Sequence, residues 1–100
     1  MEYNNITRMI LEGTSNLVNL NMLHLYGNNL EGTIPASLGK LKRLNGLLLG
    51  MNYLSGPIPL AIGNLTKLNF LHLDGNKLIG SIPSSLSGCP LQRLDLSHNT

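Results

Sequence analysis

Charge is scarce in this chain. Only 12% of its 100 residues are Asp, Glu, Lys or Arg, where globular domains carry about 25%. The basic residues are scattered as Arg8, Lys40, Lys42, Arg43, Lys67, Lys77 and Arg93. A nucleic-acid surface needs a denser stripe than this, so nucleic acid is not an expected partner. Tryptophan is absent and aromatics make up 4% of the residues, so the core must be aliphatic. The single cysteine, Cys89, excludes an internal disulfide and reads as a small buried hydrophobe. No apolar run reaches the roughly 18 residues of a membrane helix, so direct membrane insertion is not expected. The start, MEYNNITRMI, lacks a basic stretch leading into an apolar one and does not read as a secretory signal. No nucleophile elbow, P-loop or kinase glycine loop occurs. The sequence therefore reads as a non-enzyme without a cofactor.

What the chain does have is a repeat. LTKLNFLHLDGNKLIGSIPSSLS (65–87) aligns with LKRLNGLLLGMNYLSGPIPLAIGN (41–64) and with LVNLNMLHLYGNNLEGTIPASLGK (17–40). Asn28, Asn52, Asn76 and Asn99 are spaced by 24, 24 and 23 residues. One further step upstream lands on Asn4, with Ile6 and Ile10 at apolar positions. That first unit has drifted, with Arg8 in place of the glycine and Leu11 in place of the proline. The last junction carries Gly88 where a leucine is due. The expected organisation is one domain, with a partial repeat at 1–16, full repeats at 17–40, 41–64 and 65–87, and a partial repeat at 88–100. Both ends read as uncapped. Internal periodicity of this kind decides a fold before local propensity does.

Within each unit the leucines alternate with period 2, at Leu23 and Leu25, Leu47 and Leu49, Leu71 and Leu73, and Leu94 and Leu96. Period 2 means a strand with leucine inward, and stacked identical units make these strands parallel neighbours about 4.8 Å apart. The asparagines stand where the chain leaves the strand. An inward amide there can satisfy backbone groups that the turn leaves unpaired, so Asn28, Asn52, Asn76 and Asn99 are expected to form a ladder. The Ile-Pro pairs hold the chain extended. ASLGK, LAIGN and SSLSG are too short and too rich in Gly and Ser for an α-helix, and read as 3₁₀ turns.

The pattern L-x-x-L-x-L-x-x-N-x-L-x-G-x-I-P resembles the plant-type leucine-rich repeat, and LHLYGNNLEGTIPASL and LHLDGNKLIGSIPSSL carry the likeness most closely. The resemblance implies an α/β fold: a right-handed solenoid with a parallel β-sheet on its concave face and short 3₁₀ segments on the convex side. It also implies a second short strand near each Gly-x-Ile-Pro. Such repeats are found in the ectodomains of plant receptor-like kinases and receptor-like proteins. Recognition of a peptide, protein ligand or co-receptor at the extracellular face is what the likeness implies. A parent protein could carry a kinase domain that these residues lack. Constitutive scaffolding and an intracellular inhibitor-like role are the alternatives. The sequons at Asn5 and Asn64 fit an extracellular setting.

Positions flanking the inward leucines are free of framework duty and are the candidates for recognition. They are Met22, His24, Tyr26, Leu48, Phe70, His72, Asp74, Arg93 and Asp95. Gly46 and Gly50 are expected to leave a dip among them. His24 and His72 fall two rungs apart, about 10 Å by strand spacing, too far to share an ion, so no metal site is expected. Apolar residues left at the front edge, Ile6 and Ile10, and at the back edge, Leu91, Leu94 and Leu96, invite end-to-end self-association.

Overall fold

The computed structural model describes residues 4, 5, 8 and 19–99. In chain order the elements are β1 (Asn4–Asn5), β2 (Met22–His24), β3 (Leu30–Thr33), η1 (Ala36–Lys40), β4 (Gly46–Leu48), β5 (Tyr53–Gly56), η2 (Leu60–Asn64), β6 (Phe70–His72), β7 (Lys77–Leu78), η3 (Ser84–Gly88) and β8 (Arg93–Asp95). The η segments are 3₁₀ helices and coincide with ASLGK, LAIGN and SSLSG. Each follows a proline in extended conformation, Pro35, Pro59 or Pro83. The proline supplies no N–H, and its carbonyl accepts the first 3₁₀ bond, from Leu38, Ile62 or Leu86.

Two four-stranded parallel sheets result, in the orders β2-β4-β6-β8 and β1-β3-β5-β7. This is the solenoid implied by the repeat, with the first sheet on its concave face. That sheet keeps the sequence period, with Leu23, Leu47, Leu71 and Leu94 directly opposite one another. The second sheet does not. Glu31 pairs with Tyr53 and Ser55 with Lys77, steps of 22 residues, while Asn4 pairs with Leu30, a step of 26, so the rungs are offset by two in either direction against the 24-residue repeat. An even slip leaves every side chain on its original face. Leu54 therefore stays inward opposite Gly32 while Thr33, Ser55 and Lys77 come into one row.

Burial is supplied by the neighbouring unit rather than by the unit itself. Leu47 and Leu71 are fully buried, yet Leu94 in the same position of the last strand is 43% exposed. Ile34 and Ile58 are buried, whereas Ile82 is 56% exposed. Leu91 and Leu96 pack only partly against the core. Ile6 and Ile10 lie outside the described residues. Cys89 is half-buried, its Sγ donating to the Ile62 carbonyl at 3.5 Å, and burial pushes its thiol up.

The asparagine amides stitch consecutive units together. Asn52 Oδ1 accepts the Asn28 N–H at 2.8 Å and the Leu30 N–H at 2.9 Å. Its Nδ2 donates to the carbonyls of Leu25, Leu49 and Gly50. Asn76 accepts from Leu54 N–H and donates to Leu49, Leu73 and Asp74. Asn99 accepts from Leu78 N–H and donates to Leu73 and Leu96. The amides bond backbone of their own and the preceding unit, not one another. Asn28 departs from the inward expectation. It is exposed, and its Nδ2 donates to its own unit's Tyr26 carbonyl. The upstream backbone it would bond, at positions 1 and 6, lies outside the described residues.

One turn position carries a conformational conflict. Gly27 and Gly75 have φ of 71° and 66°, and Met51 and His98 occupy the same place in their units with φ of 54° and 58°. A side chain in left-handed backbone costs about 1–2 kcal/mol. Met51→Gly relieves that strain but frees the unfolded chain by part of the same amount. The expected result is a net gain of roughly 0.5–1 kcal/mol, read as a raised midpoint in a thermal melt.

Candidate ligand-binding face

The concave sheet brings the candidate positions into two cross-strand rows. Met22, Gly46, Phe70 and Arg93 form one; His24, Leu48, His72 and Asp95 form the other. Strand pairing places these residues side by side across units widely separated in sequence. Tyr26 and Asp74 stand just beyond the strands, where the chain leaves the sheet. Met22 and Tyr26 are 43% and 49% exposed. His24 and Arg93 are exposed, whereas Leu48, Phe70, His72, Asp74 and Asp95 are half-buried.

The expected dip at Gly46 and Gly50 is filled, and these flanking side chains do pack on their own chain. Met22 lies across Gly46, its Cε 2.7 Å from where a Cβ would stand. Tyr26 and Asp74 both lean over Gly50, with Tyr26 Cε2 2.8 Å from its Cβ position. Both glycines are buried as a result. The reason is simple: a missing side chain leaves open space on the sheet, and the adjacent long side chain buries part of its own apolar surface by filling it. The face is smoother than the sequence alone implies.

Electrostatics distinguish the two acids of this face. Asp95 Oδ1 accepts the Ser97 hydroxyl and the Ser97 N–H at 3.0 Å. Those bonds, chiefly the hydroxyl's, hold its carboxyl below the usual aspartate range. Its stabilising contribution is present above the ordinary Asp value and is lost as pH falls through the lowered one. Asp74 Oδ1 is buried and has no hydrogen-bond partner. Among the described residues no group of three or more His, Cys, Asp or Glu side chains gathers as a metal site would require.

The sequon residue Asn64 is exposed, at the end of η2. Asn5 is exposed in β1, while Ile6 and Thr7 of its sequon lie outside the described residues. No described helix is long and apolar enough to cross a membrane.

The Leucine Rich Repeat family model matches residues 19–41 and 67–89. The chain superposes on the ectodomain of the Arabidopsis thaliana receptor kinase GASSHO1/SCHENGEN3, solved with CASPARIAN STRIP INTEGRITY FACTOR 2, at TM-score 0.83 and 38% identity. These units are plant-type leucine-rich repeats. The GASSHO1/SCHENGEN3 alignment spans 87% of this chain and 11% of that one. Similarity extends to the Arabidopsis receptor kinase HAESA, solved with the peptide hormone IDA and the co-receptor SERK1 (TM-score 0.76, 42% identity, 81% of this chain and 14% of that one). A plant ice-binding protein superposes at TM-score 0.84 and 39% identity, over 97% of this chain and 31% of that one. The chain thus spans a small part of the leucine-rich-repeat proteins it matches. No curated protein matches it. This repeat fold is typically non-catalytic.

Proposed function

We propose that the chain is a recognition module of a plant receptor-like ectodomain, whose concave face takes an extended peptide or a loop of a protein partner such as a co-receptor. The observation that carries this reading is the composition of the concave rows. Met22 and Tyr26 stand exposed beside half-buried Leu48 and Phe70, while the inward positions are uniformly leucine. Exposed apolar and aromatic side chains grouped in one patch are the makings of a contact surface. Receptor ectodomains of the same repeat solved with peptide ligands support the choice of partner. An extracellular setting belongs to the same proposal, with Asn64 as an exposed glycan acceptor.

The test uses peptides selected from an unconstrained display library on the immobilised chain. A variant carrying His24→Ala, Tyr26→Ala and His72→Ala strips the polar and aromatic rim around Leu48 but spares the apolar side chains of Leu48 and Phe70, whose burial contributes to packing. The expected result is a loss of affinity of at least about tenfold, or 1.4 kcal/mol, for the selected peptides. Unchanged affinity in a variant that still melts cooperatively refutes the proposal.

A further inference from the structure

Beside the concave sheet lies a recess of about 590 Å³, walled by Tyr26, Met51, Tyr53, Asp74 and Lys77. One carboxylate oxygen in it is unsatisfied: Asp74 Oδ1 is shut off from solvent and accepts no hydrogen bond. Its place is made by Gly50, whose Cβ would stand 2.5 Å from Asp74 Oδ1 and 2.8 Å from Tyr26 Cε2. The carboxylate therefore lies against bare backbone, next to the Tyr26 ring. A buried, unpaired carboxylate oxygen is unfavourable, and no side chain of the described residues offsets it. Lys77 lines the same recess, but its ammonium stands over the Tyr53 ring, 5.7 Å from the centroid. Asp74 is the only acid in the lining. Met51 adds an apolar wall that is 53% exposed, on backbone that disfavours any side chain.

We propose that this recess receives the guanidinium of an arginine from an extended peptide or partner loop, with the Asp74 carboxylate as its counter-ion and Tyr26 as a flat wall. The inference rests on the concave-face reading above and adds the chemistry of one contact. Arginine fits for stated reasons. Its planar fork donates two parallel hydrogen bonds to one carboxylate. It is more weakly hydrated than an ammonium, so it enters a half-closed recess at lower desolvation cost. It also stacks on an aromatic face, and Tyr26, being 49% exposed, has room to move and admit an N–H to Oδ1. A lysine offers a compact, strongly hydrated point charge and no plane to stack.

The experiment uses two pools of short peptides, random except at one central position. One pool carries arginine there and the other citrulline, which keeps the shape and removes the charge. Affinity is measured together with the carboxyl carbon resonance of Asp74 in the labelled chain. The arginine pool is expected to bind at least about tenfold tighter, and to be the only one that moves the Asp74 signal. Asp74→Asn, which preserves shape and removes the unpaired charge, is expected to erase the difference with a thermal midpoint no lower than the parent's. Equal binding of the two pools, or an arginine preference that survives Asp74→Asn, overturns the inference while the concave-face reading stands. If neither pool moves any resonance of the concave sheet, both fall.

Discussion

Asn52→Ala is expected to remove about 3–5 kcal/mol of folding stability, out of the 5–15 kcal/mol that a domain of roughly this length holds. The reasoning is residue by residue. The amide makes five hydrogen bonds and is 5% exposed. Truncation leaves the buried Leu30 N–H without its acceptor and the Leu25 carbonyl without its amide donor, while the Gly50 carbonyl keeps the Gly27 N–H at 3.0 Å. The Leu49 carbonyl is partly spared, because Asn76 also donates to it at 3.1 Å. Each buried group left unpaired costs about 1–3 kcal/mol. Asn28 N–H sits nearer the surface and is rehydrated at small cost. Denaturant titration measures the loss as a fall in midpoint.

The isosteric Asn52→Asp separates donors from acceptor. It keeps the oxygen that accepts Leu30 N–H but turns the other side into a second acceptor facing three carbonyls. Those carbonyls and burial disfavour the charged form, so the folded-state pKa of the new carboxyl rises above the unfolded value of about 3.9. The folded state then binds the extra proton more tightly. Stability is therefore regained as pH falls through the raised folded value, and is fully regained below the unfolded one. Asn52→Asp is expected to be far less stable than the parent at pH 7, with the gap narrowing on acidification. A gap that widens instead contradicts the ladder's role.

Gly63→Ala is the second large effect, and it acts on the convex side. A Cβ at Gly63 would stand 2.5 Å from both the Cβ and the carbonyl oxygen of Ser85, and 2.8 Å from the Ser85 carbonyl carbon. Those atoms belong mostly to backbone, so no side-chain rotation relieves the clash. η2 and η3 would have to separate, opening the close stacking of adjacent 3₁₀ turns. Overpacking of this kind costs about 1–3 kcal/mol, more where backbone must shift. At roughly 4–8 °C per kcal/mol for a domain of this size, the midpoint is expected to fall by about 10–20 °C. Ser84→Ala, on an exposed residue of the neighbouring turn, is expected to move it little. Equal midpoints for Gly63→Ala and Ser84→Ala would show that the turns are not tightly stacked.

The two large effects fall on positions of different legibility. Asn52 announces itself in the sequence, because a polar residue recurring every 24 positions among leucines needs a backbone reason. The strand leucines and 3₁₀ segments are legible for the same cause: the physics of each unit is repeated, so the signal is repeated. Gly63 is harder to weigh. It recurs with Gly39 but gives way to Ser87 in the next unit, and only the geometry shows that Ser85 backbone lies where its Cβ would go. The slide of the second sheet is illegible, since a slip of two residues preserves the in-out pattern on which a sequence reading depends. The concave face was legible as a set of positions but not as a surface. Gly46 and Gly50 look like gaps in one dimension, whereas Met22 and Tyr26 reach across from the neighbouring rung to cover them. Asp74 reads as one more polar residue until its buried, unpaired oxygen is seen. The superposition on an ice-binding protein as well as on receptors makes the same point at the scale of the fold. Leucines and asparagines build the stack, and under the proposed function the variable concave positions choose the partner.

That division is tested most directly by measuring thermal midpoint and peptide affinity on the same two variants. Gly63→Ala, assayed at a temperature where it is fully folded, is expected to lose about 10–20 °C in midpoint and to bind the selected peptides within about twofold of the parent. The His24→Ala, Tyr26→Ala, His72→Ala variant is expected to do the reverse, keeping its midpoint within roughly 5 °C and losing affinity at least about tenfold. If the concave variant binds as well as the parent, or if its affinity falls only in step with its stability, the concave face is not where this protein meets its partner.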